Sequence, residues 1–394
     1  MKNNNYLSTK IAGYTGFFIQ AVVNNFLPVL FIALQDIYKL SYEQLGNLIL
    51  LNFVTQIGID VLTAPISYKL GYKKTTILSQ FIAFLGLALL GFLPNLMNPY
   101  AALVICIIVY AIGSGITEVI ISPIIEILPT KNKKKNMAVL HSFYCWGQAV
   151  TVLVTTLLVS VFGYGKWNLI PLIWSVIPFI NTLLFIAVPV IEPTAEQKNA
   201  KLSPLIKNKK FLIFMVMMLC GGASEIAMSQ WASIFVQNAL GVSKVIGDIS
   251  GPCGFAVAMG IGRILYGKYA EKIAFEKVII LLGSLCFGCY ITVAVSKVAV
   301  LGLIGCALCG FAASAFWPGI LSEGARNFKN SGALMFSILA LCGDSGCSIG
   351  PWVIGAVADE MTLNMGMALA SIFPVIIILC GLCLLKINSC KTVK

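Results

Sequence analysis

Charged side chains are scarce in this chain of 394 residues. Only 11% of the residues are Asp, Glu, Lys or Arg, whereas 59% are hydrophobic. A soluble domain would carry roughly 25% charged residues. The few charges stand in short clusters between long apolar runs, and the mean hydropathy is +0.92. The composition therefore excludes a soluble protein and predicts an all-α integral membrane protein with many spans.

Other absences narrow the function. No motif pairs a nucleophile with a base or supplies metal ligands, so we expect neither an enzyme nor a bound metal or cofactor. No loop is long enough for a soluble domain, which disfavours a non-transporting membrane sensor or scaffold. The first apolar run is too long for a signal peptide and lacks a small-residue cleavage site, so we expect it to be a membrane span.

The chain is rich in cysteine, with 13 residues. Three C-x-x-C pairs occur, namely Cys286/Cys289, Cys306/Cys309 and Cys380/Cys383. In an aqueous loop such pairs would indicate metal or redox chemistry. All three lie inside apolar runs, where cysteine behaves as a small hydrophobic residue, so we expect no metal site.

Twelve apolar segments have the length of a membrane span, about 20 residues. They cover approximately residues 11–34, 45–68, 75–95, 100–127, 136–161, 167–191, 211–237, 246–269, 275–295, 299–322, 332–357 and 364–386. The longest polar interruption falls near the middle of the chain. The predicted organisation is a six-helix bundle over residues 1–191, a cytoplasmic linker over 192–210 and a second six-helix bundle over 211–394.

Basic residues are distributed unevenly among the turns. Of 27 lysines and arginines, the odd-numbered turns hold only Lys39, Lys166, Lys244 and Lys297. Cytoplasmic loops of membrane proteins carry the excess of basic residues, so this pattern places both termini in the cytoplasm. The net charge of +12 is therefore a topology signal and does not indicate nucleic acid as a partner. We expect a monomer in the lipid bilayer of the cell membrane.

The two halves repeat each other. Gly147-Gln148 in span five matches Gly343-Asp344 in span eleven, 196 residues further on. Ser122-Pro123 in span four matches Trp317-Pro318 in span ten, 195 residues further on. Parallel six-helix repeats around a central polar site are typical of secondary transporters.

Four carboxylic acids lie deep inside apolar stretches: Asp60, Glu118, Glu225 and Asp344. A charged side chain at the bilayer centre costs at least about 2.5–3.5 kcal/mol, so such residues usually face a cavity and have a function. Desolvation favours the protonated carboxyl, which can take a proton from one side and release it to the other. We predict that these acids couple transport to protons. The alternative is that a protonated acid bridges two helices, and Asp60 fits that role as well.

Polar stripes run along spans one, two, four, five, seven and eleven, whereas spans three, six, nine and twelve have few polar residues. The predicted solute-binding residues are Gln20, Asn24, Asn25, His141, Tyr144, Gln148, Gln230 and Trp231. Amides offer donors and acceptors to hydroxyl groups, and aromatic rings could stack on a sugar. The alternatives are that amides bridge helices, that tryptophans mark the membrane interface and that His141 makes a helix contact.

No lysine or arginine is expected beside the deep acids. Arg263 stands near the end of span eight and is interpreted as part of a turn motif. A phosphate or carboxylate solute would need a cationic partner, so the sequence predicts a neutral or cationic solute.

The turn after span two resembles a motif of the major facilitator superfamily. Lys69-Leu-Gly71-Tyr-Lys73-Lys74 matches its basic and glycine positions, and Tyr68 stands where the motif has an aspartate. A second-half copy contains Arg263, Gly267 and Glu271. The resemblance implies a twelve-helix transporter, with spans three, six, nine and twelve as outer scaffold. It also implies conformational roles for the turn residues, to which we add the paired Pro123 and Pro318.

Within that superfamily, the chain more closely resembles the fucose permease branch, which contains proton-coupled sugar symporters. It rests on Gly115-Ile-Thr-Glu118 with Ser122-Pro123, on Leu140-His-Ser-Phe-Tyr-Cys-Trp-Gly147 and on Asn24-Asn25. The resemblance implies that Glu118 is a proton or sugar site. That branch has a second carboxylate in span one, where this chain has Pro28, and Glu225 is the predicted replacement.

The leading prediction is a proton-coupled symporter of a small neutral polar solute such as a sugar. The alternative is a proton antiporter that exports organic cations or drugs. Such antiporters usually carry a glycine- and proline-rich element in span five. Span five of this chain lacks that element, and a partial Gly-Pro pair, Gly350-Pro351, occurs in span eleven.

Overall fold

The computed structural model describes residues 6–240, 249–296 and 298–392, and within these ranges the secondary structure is helical without a β-strand. Two of the basic residues assigned to odd-numbered turns, Lys244 and Lys297, lie outside the described residues. The first part of the chain forms α1 (Leu7–Val29), α2 (Phe31–Tyr38), α3 (Tyr42–Leu70), α4 (Tyr72–Leu90), α5 (Pro99–Ile127), α6 (Lys133–Phe162) and α7 (Leu169–Ala187).

Two short helices, α8 (Ala195–Lys198) and α9 (Leu202–Ile206), follow in the segment predicted as a linker. The remaining elements are α10 (Lys209–Leu240), a π-helical turn at Ile249–Cys253, α11 (Gly254–Tyr269), α12 (Phe275–Val295), α13 (Ala299–Ala313), α14 (Phe316–Asn327), α15 (Gly332–Glu360), α16 (Leu363–Ala370) and α17 (Ile372–Thr392).

Ten helical segments of the described chain are long and apolar enough to cross a membrane. They correspond to ten of the twelve predicted spans. Span one corresponds to α1 and α2, where Gln20, Asn24 and Asn25 reduce the apolar character. Span eight corresponds to the π-helical turn and the 16 residues of α11. The predicted all-α membrane fold is confirmed.

Local sequence signals explain several helix ends. Ser41 accepts a hydrogen bond from the Gln44 amide at 3.1 Å, and the Gln44 side chain accepts from the Ser41 amide at 2.9 Å, which is a capping box. Pro318 lies where span ten divides into α13 and α14. A proline lacks the amide that would bond to the carbonyl four residues earlier, so the helix breaks before it. Pro123, by contrast, lies inside α5 without ending it.

The chain forms two compact units that are interleaved in sequence. The first contains the described residues up to Pro129, together with Gly147–Lys198 and Gly332–Ser337. The second contains Thr130–Trp146, the described residues of Asn199–Ser331, and those from Ile338 onward. Helix α6 thus contributes to both units. The predicted division at residues 191 and 211 stays a prediction.

In the first unit, α5 packs against α1, α3 and α4, and α4 also packs against α7. Phe26 and Tyr110 form an edge-to-face ring pair at 6.0 Å in its apolar core. In the second unit, α13 packs against α10, α11 and α12, and α17 packs against α10 and α12. Cys286 of α12 and Cys309 of α13 are buried between these helices, with 3.7 Å between their sulfur atoms.

Candidate functional site

An amide cluster joins α1 and α3 in the first unit. Asn24 Oδ1 accepts hydrogen bonds from Asn52 Nδ2 at 3.1 Å and from Gln56 Nε2 at 2.9 Å. Ser114 Oγ of α5 donates to Gln56 Oε1 at 3.4 Å. Gly115 lets α5 approach, since a Cβ there would lie 3.3 Å from the Gln56 Cα. The sequence predicted Asn24 as a solute-binding residue and recognised the polar stripe of span two, but it did not predict that Asn52 and Gln56 of that stripe bond to Asn24.

Glu118 lies beside this cluster in the same unit. Gln20 Nε2 donates to Glu118 Oε2, and Gln20 precedes Asn24 by one turn of α1. Glu118 is half-buried, whereas Gln20 is buried. Helix α1 therefore connects the amide cluster to the candidate proton-binding acid. Asn25 does not join them, because its Nδ2 donates to the Ala21 carbonyl of its own helix at 2.8 Å.

A second polar network lies in helices that the sequence assigned to scaffold. Gln80 of α4 donates to Thr117 Oγ1 at 2.8 Å, and Asn181 of α7 donates to Gln80 Oε1 at 3.0 Å. Asn181 Nδ2 also donates to the Ala12 carbonyl of α1 at 3.2 Å. All these side chains are buried. Thr117 directly precedes Glu118, so the network fixes this part of α5. Gln80 and Asn181 were missed because single amides in apolar runs give no periodic signal.

The second unit contains a buried ion pair. Arg263 Nη2 of α11 lies 3.1 Å from Glu225 Oε2 of α10, and the two side chains are only 2% and 5% exposed. Arg263 Nη1 donates to the His141 carbonyl at 2.7 Å. The expectation that no cation accompanies the deep acids is wrong. Arg263 lies inside α11, and its conformational role as part of the turn motif stays a prediction. The long arginine side chain points into the unit, where a buried charge requires an oppositely charged partner.

His141 and Trp317 lie next to this pair. The His141 side chain is buried, and its ring centroid lies 6.5 Å from that of Trp317. The backbone carbonyl of His141 receives the arginine. Tyr144, one turn further along α6, is half-buried and interacts electrostatically with Arg263. Three helices, α6, α10 and α11, thus meet at one guanidinium.

The other predicted solute-binding residues differ in their surroundings. Gln148 is buried, whereas Gln230 is exposed and is turned away from Glu225 on α10. Trp231 is half-buried, and its Nε1 donates to the Pro351 carbonyl of α15 at 3.1 Å. The described contacts of Trp231 therefore hold α10 against α15.

Asp344 and Asp60 are both buried. Asp344 follows Gly343, and a Cβ on Gly343 would lie 2.7 Å from Cζ2 of Trp317, so α15 and α14 pack closely here. Asp60 lies on α3, and its backbone carbonyl accepts a hydrogen bond from Ser337 Oγ of α15. Proton-coupling roles for these two acids stay predictions.

The predicted turn after span two is organised by a residue that the sequence placed in the linker. Glu192 accepts hydrogen bonds from the amides of Tyr72 at 2.5 Å and of Lys73 at 3.1 Å, at the first turn of α4. Gly71 has φ +87°, and a Cβ there would lie 2.8 Å from Glu192 Oε2. Lys73 Nζ donates to the Val188 carbonyl at 3.0 Å, whereas Lys69 is exposed.

We expect Glu192→Ala to lower the free energy of unfolding by about 1 kcal/mol, because two helix-end amides lose their acceptor. The measurement is an unfolding midpoint in detergent, followed by tryptophan fluorescence. Glu196→Ala, which removes another exposed acid four residues along, is the matched control. Equal midpoints for the two variants would contradict the capping role.

Two tyrosines cap another helix in the first unit. Tyr68 Oη accepts from the Leu334 amide at 2.9 Å, and Tyr72 Oη accepts from the Ala333 amide at 3.2 Å. Both amides lie at the start of α15. Tyr68, which replaces the acid of the superfamily motif, thus supplies an acceptor oxygen without a charge.

The second turn motif lies beside an ion pair of the second unit. Lys134 Nζ of α6 is 2.7 Å from Glu323 Oε1 of α14, and both side chains are 10% exposed. The Lys134 amide donates to Glu271 Oε1 at 3.4 Å. A Cβ on Gly267 would lie 2.9 Å from that of Ala138, so the glycine allows α11 to approach α6. The sequence identified Gly267 and Glu271 but missed Lys134 and Glu323.

Among the described residues, no group of three or more His, Cys, Asp or Glu is placed to hold a metal ion.

Comparison with known proteins agrees with this architecture. Residues 13–351 match the family profile of the Major Facilitator Superfamily. The chain is 22% identical to membrane protein MosC of Rhizobium meliloti over 353 residues, which cover 88% of this chain and 83% of MosC. It is 24% identical to an uncharacterized MFS-type transporter of Yersinia pestis over 337 residues, which cover 83% of each protein.

Solved transporter structures share the fold. The outward conformation of FucP matches with a TM-score of 0.80 and 18% identity, over 95% of this chain and 98% of FucP. The proton:xylose symporter XylE, bound to 6-bromo-6-deoxy-D-glucose, matches with a TM-score of 0.83 and 12% identity, over 98% of this chain and 96% of XylE. With the family profile covering most of its length, this chain belongs to the Major Facilitator Superfamily and is a multi-pass membrane transporter, not an enzyme.

Proposed function

We propose that the protein is a proton-coupled symporter of a small neutral polyhydroxyl solute, most simply a sugar. The observation that carries this proposal is the connection through α1 between the Asn24 amide cluster and the Gln20–Glu118 hydrogen bond. Amides recognise hydroxyl groups as donors and as acceptors. Glu118 supplies a carboxyl group that can carry a proton.

Two acceptor atoms in this region support a hydroxyl-bearing solute. Gln20 Oε1 and Asn52 Oδ1 are buried and have no hydrogen-bond partner among the described residues. An unsatisfied buried acceptor costs about 1–3 kcal/mol, so a donor that reaches it gains binding energy. Solute hydroxyls supply such donors. A neutral solute also needs no counter-ion, in agreement with the uncharged side chains of the cluster.

The coupling follows from the position of Glu118. Gln20 donates a hydrogen bond to its carboxyl group, and a solute hydroxyl can compete with the carboxyl for this donor. A solute that competes for Gln20 removes the donor and so favours proton uptake by Glu118. Solute and proton then bind cooperatively. Two proteins of similar structure, FucP of E. coli and XylE, are a fucose:proton symporter and a proton:xylose symporter.

The test is uptake by proteoliposomes that contain the purified protein under an imposed pH gradient, acidic outside. A panel of radiolabelled sugars, amino acids and cationic dyes is offered separately. We expect saturable accumulation of at least one neutral polyhydroxyl solute, and we expect a protonophore to abolish it. Proton-driven movement of dyes without any sugar uptake would overturn the proposal in favour of cation antiport.

A further inference from the structure

The buried guanidinium of Arg263 is only partly used by the protein. Nη2 contacts Glu225 Oε2 through a single 3.1 Å interaction, and Nη1 donates to the His141 carbonyl. The Nε donor has no partner among the described residues, although the side chain is 2% exposed. Arginine binds carboxylates best through two parallel N–H donors. The edge formed by Nε and Nη2 therefore holds one bond where it could hold two.

Glu225 can lose its charge, whereas Arg263 cannot, because a guanidinium stays protonated in proteins. The titratable side chains that interact electrostatically with Arg263 are Glu225 of α10 and Cys145, Tyr144 and His141 of α6. Among these four, Glu225 is the carboxylic acid. If Glu225 takes up a proton, the buried guanidinium needs another anion close by.

We propose that Arg263 binds the carboxylate of a small hydroxy acid, which takes the place of Glu225 when Glu225 is protonated. The acid form of a sugar, such as an aldonate or uronate, has this chemistry and is the charged counterpart of the neutral solute proposed above. The inference rests on the proposed proton coupling and extends the solute class from neutral sugars to sugar acids. The sequence excluded anions for lack of a buried cation, and Arg263 removes that reason.

The charge balance of this exchange has a measurable consequence. A hydroxy acid takes its proton on Glu225, while Glu118 keeps the charge that it has in the empty protein. One proton then enters with one anion, so the loaded site has the same net charge as the empty one. Uptake of a hydroxy acid is then driven by the pH gradient and is independent of membrane potential. A neutral solute that moves with one proton carries a positive charge instead. A potential of 100 mV, worth about 2.3 kcal/mol per charge, would change its accumulation about 50-fold.

The experiment separates the two driving forces in proteoliposomes. A pH gradient and a potassium–valinomycin potential are imposed one at a time, and the solutes are gluconate, glucuronate and galacturonate, with glucitol and glucose as neutral counterparts. We expect the acids to accumulate with the pH gradient and to be unaffected by the potential. If none of the acids is taken up or competes with a transported neutral solute, the inference is overturned and the proposed function stands. If no solute responds to the pH gradient, both fall.

Two variants test whether Arg263 and Glu225 are responsible for the uptake of hydroxy acids. Arg263→Lys keeps the charge but loses the planar two-donor edge, so we expect the KM for the acid to rise about tenfold or more, and to rise by a larger factor than the KM for a neutral solute. Glu225→Gln holds the site in its neutral form, so exchange of gluconate across the membrane should lose its pH dependence. Arg326→Lys, on a side chain that is 69% exposed, is the matched control. If Arg263→Lys does not fold, the potential dependence of the wild-type protein still decides the matter.

Discussion

Replacing Glu118 by glutamine is expected to abolish solute accumulation against a gradient. Glutamine has nearly the same shape and can hydrogen-bond to Gln20, but it cannot take up a proton. For one proton per solute, a gradient of one pH unit supports about tenfold accumulation, because it corresponds to 1.36 kcal/mol. We expect the ratio of internal to external solute to fall to about one in the variant. The measurement is uptake of the transported solute by proteoliposomes under that gradient.

The same variant should keep its exchange activity. With equal pH on both sides, labelled solute entering against unlabelled internal solute requires binding and conformational change but no proton gradient. Asp36→Asn, which removes an exposed acid at the end of span one, is the matched control and should accumulate solute normally. Undiminished accumulation by Glu118→Gln would remove Glu118 from coupling. Loss of both accumulation and exchange would point to a structural role instead.

Replacing Gly346 by alanine is expected to have the largest effect on stability. A Cβ at this position of α15 would lie 2.7 Å from the Leu219 carbonyl carbon and 3.0 Å from the Ala223 amide nitrogen, both in the backbone of α10. Because backbone cannot rotate away as a side chain can, the two helices must separate. Overpacking of this kind costs about 3 kcal/mol or more. It exceeds the gain of about 1 kcal/mol that alanine brings to a helix interior.

Gly288→Ala provides the opposite case. A Cβ on this glycine of α12 meets no atom within 4 Å, so the substitution should stabilise the helix slightly. The two variants are compared by thermal unfolding in the same detergent and by the monodisperse fraction after size exclusion. We expect midpoints on opposite sides of the wild-type value. A Gly346→Ala protein at least as stable as wild type would show that α10 and α15 are not held this closely.

The membrane architecture was predictable because it depends on composition and run length. The apolar run at 75–95 became α4, and the run at 332–357 became α15, each to within a few residues. These features are local, so the residues that produce them are neighbours in the sequence. Span ten, by contrast, was predicted as one unbroken run over 299–322, and the structure divides it near Pro318.

The partners across helices were much less predictable. The position of Arg263 near a helix end suggested a turn, but its side chain is long enough to reach Glu225 on another helix. Gln80 and Asn181 lie 101 residues apart, and nothing in either run indicates that they meet. Glu192 looked like part of a linker because it begins the polar segment that follows the apolar run of span six. Whether two such residues contact each other depends on how each helix is rotated about its axis and on how far each side chain extends. Neither can be determined from one sequence.

The phenol groups that cap α15 give that helix end an unusual tolerance to its surroundings. Tyr68 and Tyr72 accept hydrogen bonds from two amides through neutral oxygen atoms. A carboxylate in the same place would attract the positive end of the helix dipole, and dissolved salt would weaken that attraction. Neutral acceptors carry no such charge to be screened. The two hydrogen bonds that hold the start of α15 to α3 and α4 should therefore depend less on salt concentration than a carboxylate cap would.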